Sequence, residues 1–268
     1  MRRAATASLM VLAAIALLAI AGPWLSPWHG EELDWARMGV APSVAGAHWF
    51  GTDRLGRELF VRTLEGVRVS LAIGLAATAV SLVIGVGWGA LAGYCGRRLD
   101  ALLMRIVDVL YSLPYVFFVI LLTVTFGGGP VTVFLAIGAV GWLTVARIVR
   151  GQVLSLRRRE FIEAAIASGV TTPGILWRHV LPNVAGPVLA YAALTVPGMI
   201  VLESFLSFLG LGVAEPAASL GNLLAQGAAD MESAPWMLLA PCAFLVALVL
   251  ALGALGDALR DALDPHER

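Results

Sequence analysis

Apolar runs of about twenty residues recur along this chain, and each is long enough to cross the hydrocarbon core of a bilayer as a helix. They cover roughly residues 4–22, 69–93, 106–126, 130–147, 184–208 and 235–257. Inside lipid every backbone polar group has to be satisfied within the protein, so six such runs predict an all-α polytopic bundle of six transmembrane helices. Composition agrees. Hydrophobic residues make up 59% of the 268, and the 29 glycines bring the share to about 70%, against roughly 45–50% for a soluble domain counted the same way.

Short loops rich in basic residues stay on the cytoplasmic side. All eighteen basic residues are arginine. With the N-terminus inside, thirteen fall on cytoplasmic segments and five (Arg37, Arg54, Arg57, Arg62, Arg68) on outer ones, which predicts a plasma-membrane protein with both termini cytoplasmic. Net charge is zero, so the basic side reports topology and gives no case for nucleic acid. Met1-Arg2-Arg3, the apolar run and Ala19-Ile20-Ala21 also fit a secretory signal peptide; cleavage would leave five spans and the same sidedness. Cys95 and Cys242 read as two buried thiols with no disulfide framework.

Between the fourth and fifth runs lies the most informative segment, Glu160 to Asn183, a polar stretch on the arginine-rich side. Arg157 to Ser168 has good helix formers, with Phe161, Ala164, Ala165 and Ser168 on one face and Arg159 one turn from Glu163. Gly169 stands where a helix end needs positive φ. Thr172 and Pro173 open a second short helix that Pro182 is expected to end. A twelve-residue helix is about 18 Å long, too short to span, so it should lie across the membrane surface. It could simply contact lipid head groups, but the small face of Ala164, Ala165 and Gly169 lets another surface approach closely.

An energy source is not on this polypeptide. A P-loop needs a lysine after its glycine turn, and the chain has none. Neither a zinc-type H-E-x-x-H pair nor a G-x-S-x-G turn is present, so no catalytic residue, cofactor or metal site is assigned. An ion-coupled carrier would need ionisable groups at mid-membrane. Asp108, with Arg105 one turn back, reads as an interfacial ion pair, and Glu203 as a residue near the outer boundary.

Gly85, Gly89 and Gly93 repeat every fourth residue and read as a helix-packing face; Pro114, Pro187 and Pro197 should kink their spans. Residues 23–68 form an outer connection with Trp24, Trp28, Trp35 and Trp49 suited to the membrane interface. Thr52 or Asp53 can cap a surface-lying helix with Leu55, Leu59, Phe60 and Leu64 toward lipid or protein and Arg57, Glu58 and Glu65 toward water. The second outer segment, 211–234, is acidic and reads equally as a contact for a binding protein or as a solvated loop.

The loop resembles the EAA loop of permease subunits of ATP-binding-cassette (ABC) importers. Glu163-Ala164-Ala165, then Gly169, then Leu181-Pro182 carry that resemblance, and Arg178-His179-Val180-Leu181-Pro182-Asn183 is similar to the dipeptide, oligopeptide and nickel branch. Four further matches follow in order: Gly51 to Glu58 with Gly66 to Leu71, Glu203 to Val213, Ser233 to Trp236, and Gly256 to Pro265. Leu220 and Gln226-Gly227-Ala228 depart from the branch pattern, both in the outer segment and away from the coupling loop. The resemblance implies a MetI-like permease core over 69–264, with the coupling loop at about 155–183, an N-terminal unit over 1–68 and a tail over 265–268. It also implies one of two homologous permease subunits, working with two ATPase subunits that bind ATP and Mg and with an extracytoplasmic solute-binding protein. The implied coupling residues are Glu160, Phe161, Glu163, Ala164, Ala165, Gly169, Arg178, His179, Leu181 and Pro182. Peptide is the leading cargo and nickel the second; an ion-coupled carrier or a membrane scaffold is the reading from another class.

Overall fold

The computed structural model describes residues 2–44, 46–127 and 129–263; Asp264, Pro265 and the tail over 265–268 lie outside the described residues. The chain is helical: α1 Arg2–Leu25, α2 Leu59–Tyr94, α3 Arg97–Tyr111, α4 Tyr115–Phe126, α5 Pro130–Leu156, α6 Glu160–Ala167, α7 Thr172–Ile175, α8 Leu181–Phe208, α9 Leu220–Ala229 and α10 Trp236–Leu263. Five helical stretches are long and apolar enough to cross a membrane, and α3 with α4 forms a sixth candidate bent by 83°.

The packing of α2 on α5 fixes the path of the chain. A side chain at Gly85 would meet Val145 and the Trp142 carbonyl, at Gly89 it would meet Val149, and at Gly93 it would meet Val153. Residue numbers rise together on both helices, so α2 and α5 run parallel and touch through the glycine face, as the packing reading expects. Gly87, in contrast, faces open space. Two parallel neighbours need a connection that returns across the bundle, and α3 and α4 supply it. The third span is therefore broken where a single helix over 106–126 was expected: Pro114 disfavours helical geometry in Leu113 before it, and α4 restarts at Tyr115.

Two other boundaries differ from the sequence reading. No separate surface helix precedes the second span, because α2 is one helix of 36 residues, about 54 Å, which runs unbroken through residues 68 and 69. Its cap is Glu58, whose carboxylate accepts the Val61 amide at 2.7 Å; Asp53 instead accepts the amides of Leu55 and Arg57 in a turn. Likewise Pro182 does not end a helix. Leu176–Val180 is a π-helical turn, and the Leu181 amide reaches back to the Leu176 carbonyl. That wider turn lets a residue lacking an amide enter the first turn of α8 with the helix unbroken, so helix continues from Thr172 to Phe208.

The expected buried thiols are also corrected: Cys95 and Cys242 are free and exposed on the chain's surface. The bundle carries many exposed apolar side chains, among them Leu17, Val83, Phe117, Val124 and Leu250, as a lipid-facing surface requires.

Candidate coupling segment, cavity and opposite end

α6 sits at one end of the bundle, joined to α5 by Arg157–Arg159 and to α8 through α7. Ile162, fully buried, and Ala165 insert into a cluster with Val149, Val153, Ile175, Val180 and Val184; burying one isoleucine contributes about 1.5–3 kcal/mol. The other faces are open, with Glu160, Glu163, Ala164 and Ser168 exposed and Phe161 and Ile166 exposing 42% and 51% of their surface. The inward face is thus Ile162 and Ala165. Ala165 supports the helix from beneath, and only Ala164 and Gly169 of the expected small face are presented outward.

Gly169 has φ +79. Its amide donates to Ile166 and that of Val170 to Ala165, the paired bonds of a Schellman stop. Arg159 and Glu163 form no ion pair among the described residues; the Glu163 amide bonds the Arg159 carbonyl instead. Arg178 is exposed and His179 half-buried, its ring 6.4 Å from that of Phe161. Leu181 packs on the same cluster as Ile162, and Pro182 is exposed. The segment therefore gathers Phe161, Ile166 and Trp177 (74% exposed) with the four arginines Arg157, Arg158, Arg159 and Arg178 at one end of the molecule, an apolar and basic surface seated on a buried apolar cluster.

Asp108 pairs with Arg147 of α5 at 2.8 Å, in place of the expected Arg105, and Arg147 also covers the Tyr111 ring at 4.2 Å. Asp100 receives two bonds from Arg150. α5, which leads into α6, is thereby tied to α3.

Beside these helices a cavity of about 930 Å³ is walled by α4, α5, α8 and α10, with Tyr115, Gln152, Tyr191, Thr195, Met199 and Arg260 among its lining. Sequence reasoning did not find this wall. Its residues come from four helices, and no local pattern marks them.

The opposite end is built from charges that the sequence reading had facing water. Arg57 and Glu58 are buried, as are Asp53 and Arg62. Arg57 Nε donates to Asp53 at 2.6 Å and its Nη1 to Glu215 at 3.3 Å. Burial works against the Arg57 charge, yet bonds and attraction from Asp53 and Glu215 hold its pKa above the ordinary value. Arg62 Nη1 donates to the Gly30 and Pro216 carbonyls, and Arg54 pairs with Asp230. The acidic segment 211–234 is accordingly a folded partner of the 53–62 stretch, with α9 opened by a reciprocal Ser219 and Asn222 cap.

Spans lining an open cavity, with an apolar and basic ledge at one end, fit a membrane transport component. The model of the family described as "Binding-protein-dependent transport system inner membrane component" matches residues 85–268, and that of the "N-terminal TM domain of oligopeptide transport permease C" matches residues 1–42. The chain belongs to the binding-protein-dependent transport system inner membrane component family, the permeases of ABC importers, and is a transport subunit, not an enzyme. It is 53% identical over 266 residues to the oligopeptide transport system permease protein OppC of Escherichia coli K12, covering 99% of this chain and 88% of the relative. The Haemophilus influenzae OppC is 50% identical, with 99% and 86% covered, and the Bacillus subtilis dipeptide transport system permease protein DppC is 43% identical, with 98% and 82% covered. Among solved structures, an inward-facing MetNI methionine ABC transporter chain aligns with a TM-score of 0.60 at 21% identity, covering 77% of this chain and 96% of that one. This likeness shows the MetI-like fold.

Proposed function

We propose that this permease forms half of the passage for short peptides, di- or oligopeptides, in an importer with a second homologous permease subunit, two ATPase subunits and an extracytoplasmic solute-binding protein. The end bearing α6 faces the cytoplasm with both chain termini, and the end bearing α9 faces outward. Most arginines lie toward the α6 end, as cytoplasmic segments do. ATP and Mg belong to the ATPase subunits, and this chain holds no cofactor.

One observation carries this reading: α6 is a stopped, eight-residue helix anchored by Ile162 yet open on its remaining faces. Anchoring without covering suits a handle. Glu160, Phe161, Glu163, Ala164 and Ile166 meet a cleft on an ATPase subunit, Gly169 sets the stop, Ala165 and Leu181 seat the segment, and Arg178, His179 and Pro182 shape its exit into α8. Because α5 and α8 leave the two ends of this handle, pulling it moves both walls of the cavity through which cargo passes. The two permease relatives named for oligopeptide transport and the one named for dipeptide transport support the cargo class.

Co-purification with a P-loop ATPase, followed by peptide-dependent ATP hydrolysis in vesicles, tests the assembly. Identifying the ligand retained by the binding protein tests the cargo. A purified complex that moves peptide without any ATPase subunit would overturn the proposal.

A further inference from the structure

Glu203 follows Leu202, which lines the cavity, but its own side chain is 0% exposed on another side of α8. No arginine or histidine pairs with it among the described residues. Serine hydroxyls surround it instead. Ser207 Oγ donates to Oε1 at 2.8 Å and Ser204 Oγ to Oε2 at 3.3 Å, and the hydroxyls of Ser70 on α2 and Ser219 at the cap of α9 lie beside it.

Three of those hydroxyls also take a backbone amide from the segment that leads into α9. The Val213 amide donates to Ser207 at 3.1 Å, that of Leu220 to Ser70 at 3.1 Å, and that of Asn222 to Ser219 at 3.3 Å. A hydroxyl has one proton and two lone pairs, so one that has accepted an amide still has its proton to give. An ionised carboxylate only accepts, at about four sites. Ser204 and Ser207 therefore satisfy the Glu203 carboxylate from its own helix, Ser70 and Ser219 stand beside it, and the N-terminus of α9 adds partial positive charge nearby. A carboxamide of the same shape would turn two donors toward hydroxyl protons.

We propose that Glu203 is a positioning residue for transport: its carboxylate fastens α2, α8 and the N-terminus of α9 into one block, which fixes the rotation of α8 and with it the placing of Tyr191, Thr195 and Met199 in the cavity wall. This inference rests on the reading of that cavity as part of the cargo passage. Rotating α8 means breaking the Val213 bond to Ser207 and drawing Glu203 away from Ser70 and Ser219, so the wall keeps one face toward the cargo while the opposite, α6 end moves.

Glu203→Gln in the assembled importer is the first test, with Ser70→Ala and Ser207→Ala beside it. With Glu203→Gln, hydrogen exchange is expected to speed up about tenfold at Val213, Leu220 and Asn222, the loss of roughly one buried hydrogen bond at each, and to stay unchanged across 160–170. Most peptide uptake is expected to be lost while ATP hydrolysis continues and the amount of assembled complex is normal. Ser70→Ala should release Leu220 alone and Ser207→Ala should release Val213 alone, each with a partial loss of uptake. If Glu203→Gln does not assemble, the two serine variants decide. Local release with full uptake would reduce Glu203 to a structural role, and unchanged exchange would remove the block itself; either result overturns the proposal. Failure of the cargo reading shows separately, as an unmodified importer that moves no peptide.

Discussion

The amide of Val170 donates to the carbonyl of Ala165 at 3.1 Å, closing α6 with a bond that only a residue in left-handed geometry at Gly169 permits. No neighbour lies within 4 Å of a side chain built at Gly169, so the requirement there is conformational and not steric. Valine at this position should cost about 1–2 kcal/mol or more of local order and leave membrane insertion intact. Uptake by Gly169→Val is expected to fall well below that of Gly169→Asn, which tolerates positive φ; transport in reconstituted vesicles, normalised to inserted protein, measures the difference.

Ile162 and Phe161 are neighbours with opposite duties. Ile162→Ala empties a fully buried site and should destabilise the seat of α6 by about 2–5 kcal/mol, seen as faster proteolysis of the 157–183 segment. Phe161→Ala should leave the protease pattern unchanged and weaken retention of the ATPase subunit on an affinity column.

Gly89 and Gly87 form a second contrast. A side chain at Gly89 would meet Val149 Cβ at 2.8 Å and the Arg150 amide at 3.0 Å, whereas one at Gly87 would meet nothing. Gly89→Ala should destabilise the packed α2 and α5 pair by about 1–3 kcal/mol through overpacking, lowering the thermal unfolding temperature in detergent, and Gly87→Ala should leave it unchanged or slightly higher.

Burial raises the pKa of Glu58 above the usual carboxylate range, against the lowering effect of backbone amides from Val61, Phe60, Phe50 and Trp49. The folded state therefore binds this proton more tightly than the unfolded state does. Stability from this site is fully present below the ordinary carboxylate pKa and is lost as pH rises through the raised one. Exchange protection of residues 49–61 should fall across that window, and Glu58→Gln should flatten the dependence.

The spans were legible because twenty apolar residues admit few structures in lipid, and Gly169 because one backbone conformation favours one residue type. The seat of α6 was harder to read. On so short a helix Ala165 and Ala164 look alike, and only the buried neighbours of Ile162 show which way the helix is turned. Arg57 and Glu58 were placed toward water because isolated charges usually go there; the bond from Arg57 to Asp53 lay within local reach, but its second partner, Glu215, is 158 residues away, beyond any local pattern. Pro182 misled for a physical reason: a proline stops a regular α-helix, but a π-helical turn over Leu176–Val180 gives its ring room.

The exposed thiols at Cys95 and Cys242 have to be replaced by serine before the most direct experiment, which places a single cysteine at Glu160. In the assembled importer this thiol is expected to cross-link to an ATPase subunit and, in intact cells, to resist a membrane-impermeant maleimide that labels a cysteine at Asp230. Labelling of position 160 from outside the cell, or its cross-linking to lipid alone, would contradict the account.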